Sequence, residues 1–167
     1  METNTRIGRS KLWFAVFAGA TALVAAAGAR ATKRGRGLWY RALAKPPGQP
    51  PPALFGPVWT ALYGLMSLSA FRVFGARRTP ERDRAMRLWW SQLALNGAWS
   101  PIFFGAHRPR LALIDLAALA ATVAGYTRTA AKVDRPAAWL MAPYLGWLGY
   151  AGWLNYGIIR RNPLLTR

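Results

Sequence analysis

The chain contains no cysteine and one histidine, and its five Asp and Glu residues stand against 23 Lys and Arg. The lack of cysteine excludes disulfides and thiolate metal ligands. His107 has no acidic or histidine neighbour at ligand spacing, so we expect a solvated loop residue rather than a metal or haem ligand. Paired carboxylates, phosphate-binding glycine loops and nucleophile–base pairs are also missing. The residues alone therefore indicate no assured catalytic group and no metal site.

Basic residues are abundant, but they gather in short clusters separated by apolar stretches. Each stretch is about 20 residues long, which suits a hydrocarbon core about 30 Å thick. A nucleic-acid-binding protein would instead place its charge on one folded face. The pattern predicts an integral membrane protein with no nucleic-acid partner. The clusters are Arg30 to Lys45, Arg72 to Arg87, Arg108 to Arg110, Arg128 to Arg135 and Arg160 to Arg161.

The apolar stretches predict an all-α, five-helix transmembrane bundle that forms a single domain over residues 1–167. The first stretch also has the pattern of a cleavable signal peptide. Its length and its stripe of Ala18, Ala22 and Ala26 favour a retained helix. Basic residues are balanced between the two sides, so the positive-inside rule gives no orientation. The expected helices cover residues 12–29, 55–74, 86–104, 111–127 and 136–159.

The connection between the first two helices is long, from about Arg30 to Leu54. Five prolines between Pro46 and Pro52 prevent helix formation and favour extended backbone. A connection of this length in a small protein is more often a lid or binding segment than a passive tether. We therefore expect it to contribute to a binding site.

The third helix carries Gln92, Asn96, Trp99 and Phe103 on one face. An unpaired amide in hydrocarbon is costly, so both amides should point into the bundle. They could link helices by hydrogen bonds, or they could line a cavity and meet a ligand. Asp115 on the fourth helix is equally open, since it could serve function or pair with a nearby arginine.

Aromatic residues fall into two groups. Those near span ends are typical interfacial anchors, and we assign Trp13, Trp39, Trp89 and Trp139 to this group. Trp59 and Tyr63 on the second helix, and Tyr144, Trp147 and Ala151 on the fifth, instead lie on ordered faces that suit a flat hydrophobic ligand. The fifth helix also has space beside its backbone, because it carries Pro143, Gly146, Gly149 and Gly152. A ligand or a closely packed neighbouring helix would explain this space equally well.

Several long segments together resemble the translocator protein family, also called the peripheral benzodiazepine receptor or tryptophan-rich sensory protein family. The resemblance implies five helices, a retained first span, a pocket capped by the first loop, and a homodimer. It also implies binding of protoporphyrin IX, sterols or isoquinoline-type ligands, with no required cofactor. The segments are WYRALAKP at 39–46, FGPVWTALYGLM at 55–66, QLALNGAWSPIFFGA at 92–106, ALIDL at 112–116 and PYLGWLGYAGWLNYGIIRRN at 143–162.

Family positions supply most of the predicted site. In bacterial members the tryptophans matching Trp59 and Trp147 are associated with porphyrin binding and light-dependent breakdown, which makes them the candidate catalytic residues. Leu154, Tyr156 and Arg160 fit a cholesterol-recognition pattern, which is weak in any membrane protein. The predicted ligand-binding residues, which include Tyr144 from its position on the helix face, are Trp59, Tyr63, Asn96, Trp99, Asp115, Tyr144, Trp147 and Ala151.

Two departures from the family pattern fall in the first loop. Many members have tryptophan where this chain has Gly48 and Ala53, so we expect weaker capture of planar ligands by the loop. Porphyrin carboxylates would favour cations nearby, and Lys45 or Arg41 are the candidates. The lack of an axial histidine in the spans favours metal-free porphyrin over haem.

These features favour a membrane receptor or carrier for tetrapyrroles with a regulatory or stress-related role. A light-dependent porphyrin-degrading enzyme, a sterol or lipid transporter and a structural partner without a ligand remain alternatives. The weak catalytic signals favour a protein that is not an enzyme, with porphyrin degradation as the alternative activity. The expected location is the bacterial inner membrane, with the mitochondrial outer membrane as the alternative.

Overall fold

A computed structural model describes residues 2–166, with side chains from Lys11 to Thr166. Within these residues the chain is helical and has no β-strand. Five long helices form the predicted transmembrane bundle. The segment between the first and second of these long helices, residues 36–51, covers an internal pocket. The helices are α1 Glu2–Gly35, α2 Leu38–Ala42, α3 Pro52–Gly75, α4 Pro80–Ser100, α5 Pro109–Ala130, α6 Arg135–Trp139 and α7 Ala142–Arg161, with a π-helical turn at Pro101–Gly105.

Proline and capping side chains set where helices begin. Pro52, Pro80 and Pro109 occupy the first positions of α3, α4 and α5, where a missing N–H costs nothing. The Thr79 hydroxyl accepts a hydrogen bond from the Arg82 backbone N–H at 3.2 Å. The Asp134 carboxylate caps α6 by accepting from the Ala137 N–H at 3.0 Å.

Among the described residues, three helical segments are long and apolar enough to cross a membrane: Lys11–Gly35, Pro52–Gly75 and Pro109–Ala130. The helix α4 begins with the charged stretch at 81–84, and α7 carries glycine, tyrosine and asparagine. Both pack along α5, while α1 packs against α3 and α4. The polar side chains of α4 and α7 can therefore pack against neighbouring helices.

The first helix continues beyond the apolar stretch, and this shortens the predicted loop. It ends at Gly35 rather than near residue 29, because arginine and lysine stop an apolar run without breaking the backbone hydrogen bonds of a helix. The irregular lid is therefore confined to Leu43–Pro51, after the short α2. Phe17 is buried and Thr21 bonds the Ser67 hydroxyl at 2.9 Å, so α1 is an integral part of the bundle.

The fifth predicted helix is interrupted. Leu140 and Met141 form a turn between α6 and α7. Pro143 has no N–H to donate to Trp139 four residues earlier, and its ring would clash with that carbonyl. The break separates a short segment at one end from the helix that borders the pocket.

The end of the bundle opposite the lid is densely packed. Trp89, assigned to the interfacial anchors from the sequence, is fully buried and donates from its indole nitrogen to the Met66 carbonyl at 3.1 Å. That assignment was wrong because Trp89 faces Phe17, whose ring lies 5.1 Å from it. Ser69 adds a hydrogen bond to the Tyr126 hydroxyl at 2.7 Å.

The homodimer expected from the family resemblance stays a prediction.

Candidate functional site

A cavity of about 600 Å³ lies inside the bundle at the lid end. Its wall is formed by residues of α1, α2, the lid, α3, α4, the π-helical turn, α5 and α7. This volume falls within the range of about 300–1,000 Å³ usual for small-molecule sites. The wall is largely apolar, with a few polar groups.

Aromatic rings form one side of the cavity. The Trp59 and Trp147 rings meet edge to face with centroids 6.0 Å apart, and Trp59 stacks on Tyr63 at 5.2 Å. Phe55 adds an edge contact to Trp147 at 5.9 Å. These residues come from α3 and α7, and the sequence pattern had placed Trp59, Tyr63 and Trp147 on ordered faces. Together they offer broad apolar surfaces to a flat ligand.

A short polar chain holds the inner part of the site. The Tyr63 hydroxyl donates to Asn96 Oδ1 at 2.8 Å, and Asn96 Nδ2 donates to the Tyr144 hydroxyl at 2.8 Å. Tyr63 and Asn96 line the cavity, whereas Tyr144 lies behind them. The amide therefore plays both roles considered from the sequence, since it links three helices and also borders the cavity.

The π-helical turn shapes a second aromatic surface. Pro101 has no N–H for the α-helical ladder, and its carbonyl instead accepts from Ala106 at 2.8 Å, five residues on. Trp99 and Phe103 stack at 5.0 Å with their planes 19° apart, and both line the cavity. The buried Trp99 indole N–H has no hydrogen-bond partner among the described residues.

The lid is held by polar contacts at Ala44 and at Gly48. The Asn162 side chain accepts from the Ala44 N–H at 2.8 Å and donates to the Ala44 carbonyl at 2.9 Å. The Tyr150 hydroxyl donates to the Gly48 carbonyl at 2.6 Å. Between these points Pro46 lies so close to Gly157 that a Cβ there would be 2.8 Å from the proline ring. The lid is thus fastened to α7.

The local backbone conformation explains why residue 48 is glycine. Its φ is +81°, a conformation that side chains rarely adopt, and the Trp153 ring lies beside it. The loop reaches Tyr150 through this turn. The expectation of weaker capture by a lid lacking tryptophan at Gly48 and Ala53 stays a prediction.

The structure brings most predicted ligand residues to one cavity and leaves others outside. Trp59, Tyr63, Asn96, Trp99, Trp147, Ala151 and Leu154 line it. Asp115 does not; one of its carboxylate oxygens is buried without a partner among the described residues, and no arginine pairs with it there. Tyr156 and Arg160 lie on the exposed outer face of α7, with the guanidinium 6.0 Å from the tyrosine ring.

Two other sequence interpretations differ from the structure. A Cβ on Gly146 or Gly149 would meet nothing within 4 Å, and neither glycine lines the cavity, whereas a Cβ on Gly152 would meet Leu116 of α5 at 3.8 Å. Gln92 is fully buried, as expected, but it lies outside the cavity wall and its amide has no partner among the described residues. A shared helix face does not ensure a shared environment.

The cations at the cavity are not those expected from the sequence. Lys45 donates to the carbonyls of Tyr40 and Leu43 at 2.9 and 3.1 Å, and neither it nor Arg41 lines the cavity. Lys33 and Arg36 line it instead. Sequence reasoning missed them because the loop was expected to start at Arg30; the three-residue spacing of Lys33 and Arg36 on a continued helix was the available signal.

Comparison with known proteins agrees with this architecture. The TspO/MBR family model matches residues 15–161. Human translocator protein is 43% identical over 136 residues, which is 77% of this chain and 78% of the relative. The tryptophan-rich protein TspO of Chlorobaculum tepidum is 35% identical over 153 residues, covering 91% and 97% of the two chains.

A third relative comes from another bacterium. Protein CrtK of Rhodobacter capsulatus is 38% identical over 151 residues, covering 90% of this chain and 92% of the relative. The region matched by the family model, residues 15–161, contains the lid, the aromatic cavity wall and the polar chain around Asn96. This chain is therefore a membrane protein that belongs to the TspO/MBR family.

Proposed function

We propose that this protein is an integral membrane receptor or carrier that binds a tetrapyrrole, such as metal-free protoporphyrin IX, in the cavity beneath the lid. The observation that carries the proposal is the convergence of Trp59, Trp147 and Trp99 on one cavity of about 600 Å³. Flat rings gain both burial and favourable stacking from such walls, with about 0.5–1.5 kcal/mol per aromatic pair beyond the buried area. We further propose that ligand binding serves a regulatory or stress-related role.

The polar groups at the site support a ligand with a few hydrogen-bonding atoms. The buried Gln49 Oε1 and Trp99 Nε1 lack partners among the described residues, although both side chains border the cavity. Buried polar atoms are normally satisfied, so a ligand or water is the expected complement. The ring nitrogens and substituents of a porphyrin offer such atoms.

Titration of the purified protein with protoporphyrin IX in the dark tests this proposal. Porphyrin absorbance should be the readout, because replacing a tryptophan would also remove a fluorescence reporter. Trp59→Ala and Trp147→Ala should each weaken binding about tenfold, the loss expected for one large contact in a buried site. Trp139→Ala is the control, since Trp139 is 76% exposed and outside the cavity. Unchanged affinity in both cavity variants would exclude this cavity as the site.

We propose light-dependent porphyrin breakdown as a second candidate function. It is favoured by the contact between the Trp147 and Trp59 rings and by the stacking of Trp59 on Tyr63, since all three side chains would adjoin a bound pigment. Illuminating the complex should change the porphyrin spectrum progressively, and Trp59→Phe or Trp147→Phe should abolish the change while retaining binding. A stable spectrum under illumination with the unaltered protein would rule this function out.

We also propose that the protein resides in a bacterial cytoplasmic membrane. The two bacterial relatives match 90% and 91% of this chain, whereas the human relative matches 77%. Fractionation of the source cells, with the protein detected in cytoplasmic-membrane vesicles, is the test. Recovery from an organelle's outer membrane would contradict it.

A further inference from the structure

The charged side chains at the cavity all have one sign. Lys33 and Arg36 line it, and no Asp or Glu does among the described residues. Arg36 extends over the Tyr40 ring, with its guanidinium carbon 5.9 Å from the ring centroid, and Tyr40 also belongs to the wall. An apolar cavity bordered by two cations is suited to a ligand that is apolar in its body and anionic at its edge.

Acidic partners for these cations are absent from the described part of the chain. Asp83 and Asp134 pair with arginines at the opposite end, and Glu81 lies in the first turn of α4 at that same end. Asp115 is nearer the lid, but it does not line the cavity and makes no ion pair in residues 11–166. The positive field at the lid end is therefore not cancelled by neighbouring carboxylates.

The position of the two cations follows from the length of α1. Lys33 lies in its last turn, and Arg36 comes immediately after it with its N–H bonded to the Thr32 carbonyl at 3.1 Å. Cations at a helix C-terminus are electrostatically favoured there, and long side chains can reach from helix to ligand. Lys45 does not take this role, because it lies outside the cavity wall and its ammonium donates to the carbonyls of Tyr40 in α2 and Leu43 in the lid.

We propose that Lys33 and Arg36 are specificity-determining residues that select carboxylate-bearing planar ligands over neutral ones. This inference rests on the proposed tetrapyrrole function and narrows its ligand class. The aromatic wall binds the ring of the ligand, while the two cations pair with carboxylates at its edge. Neutral planar molecules and sterols lack the second interaction, so they bind more weakly at this cavity.

The test compares protoporphyrin IX, a dicarboxylate, with its dimethyl ester, which keeps the ring and removes both charges. Each is titrated in the dark into purified full-length protein in a neutral detergent, with porphyrin absorbance as the readout. The unaltered protein should bind the dicarboxylate about tenfold more tightly, as expected for charge-assisted hydrogen bonds at a partly exposed site. Raising the salt concentration should reduce this preference and leave ester binding unchanged.

Variants assign the preference to the two residues. Lys33→Gln and Arg36→Gln should each weaken dicarboxylate binding about threefold to fivefold without affecting the ester, and the double variant should bind both ligands equally. Arg34→Gln is the matched control, because it removes the same charge from the same turn but lies outside the cavity wall. Arg36→Lys should keep much of the preference. Unchanged thermal unfolding would show that the variants fold.

The outcomes distinguish a failure of this inference from a failure of the proposed tetrapyrrole binding. Equal affinities for the two ligands in the unaltered protein, or a preference that survives in the double variant, would overturn the selection by Lys33 and Arg36 while leaving tetrapyrrole binding intact. An equal loss in Arg34→Gln would replace it with a general surface-charge effect. Binding of neither ligand would overturn both proposals.

Discussion

At the lid end of the bundle, an irregular segment covers a cavity and is fastened by a few polar contacts. At the opposite end, helices pack directly on one another through buried aromatic rings and bonds such as that between Ser69 and Tyr126. Ion pairs lie only at this second end among residues 11–166, where Arg82 donates to Asp83 at 2.8 Å and lowers the pKa of that carboxyl. The molecule thus separates an end that maintains the fold from an end that can admit a ligand.

The largest expected effect comes from breaking the packed end. Trp89→Ala removes a fully buried ring and its hydrogen bond to Met66, which should lower the free energy of unfolding by about 3–5 kcal/mol. Thermal unfolding in detergent, followed by circular dichroism, measures the loss. At a temperature where the variant is folded, its porphyrin affinity should match that of the unaltered protein.

Trp139→Ala provides the comparison for that variant, because the same side chain is removed from an exposed position. Its unfolding temperature should be unchanged. If Trp89→Ala weakened porphyrin binding as strongly as Trp59→Ala, the two ends would be coupled and the separation described above would fail.

Loosening the lid should have a smaller and local effect. Asn162→Ala leaves the N–H and carbonyl of Ala44 without their partner, which should destabilise the lid by about 1–3 kcal/mol. Hydrogen exchange at the lid amides of residues 43–45, 48 and 49 should accelerate, with exchange in α3 and α4 unaffected. Ser91→Ala is the control, since that hydroxyl bonds only to Arg87 in its own helix. Uniform acceleration across the bundle would show that Asn162 supports the whole fold.

A single contact to the lid should matter less. Tyr150→Phe removes the hydrogen bond to Gly48, worth about 1 kcal/mol, so porphyrin should dissociate about fivefold faster. Stopped-flow absorbance measures that rate. Tyr156→Phe, on the outer face of the same helix, should leave the rate unchanged. Identical rates for both variants and the unaltered protein would show that this bond does not limit release.

The smallest effect concerns sterols, which would meet a different surface. A photoreactive sterol probe should label the outer face of α7 around Tyr156 and Arg160, and excess porphyrin should not reduce the labelling because these residues lie outside the cavity. Labelled peptides identified by mass spectrometry give the answer. Competition by porphyrin would place the sterol beneath the lid instead.

Much of this organisation could be predicted from the sequence because it follows from solvent exclusion. The stretches between basic clusters predicted the five helices, although only three of the described helical segments are long and apolar enough to cross a membrane by that criterion. The cost of burying Asn96 unpaired predicted an inward amide, which the structure bonds to Tyr63 and Tyr144. The family resemblance supplied Trp59, Trp99 and Trp147. These features depend on residue type and spacing, which the sequence displays directly.

The features that could not be predicted depend on where helices end and how they face one another. Hydropathy marked the membrane boundary near residue 29, but the hydrogen-bonded helix continued to Gly35 and carried Lys33 to the cavity. Trp89 has the sequence position of an interfacial anchor, but α1 packs against it and buries its ring. Gly157 gave no sign of its close approach to Pro46, because that contact joins residues far apart in the chain.

The π-helical turn at Pro101–Gly105 has a consequence for how this chain tolerates change in length. Such a turn holds about one residue more than an α-helical turn, so the helix accommodates an extra residue without changing its direction. Deleting one residue from a regular α-helix would rotate everything beyond it by about 100°. Within Pro101–Gly105 the same deletion would narrow the turn to regular winding and leave the direction of the following residues nearly unchanged. A change of one residue in length should therefore disturb the bundle less at this turn than within α4.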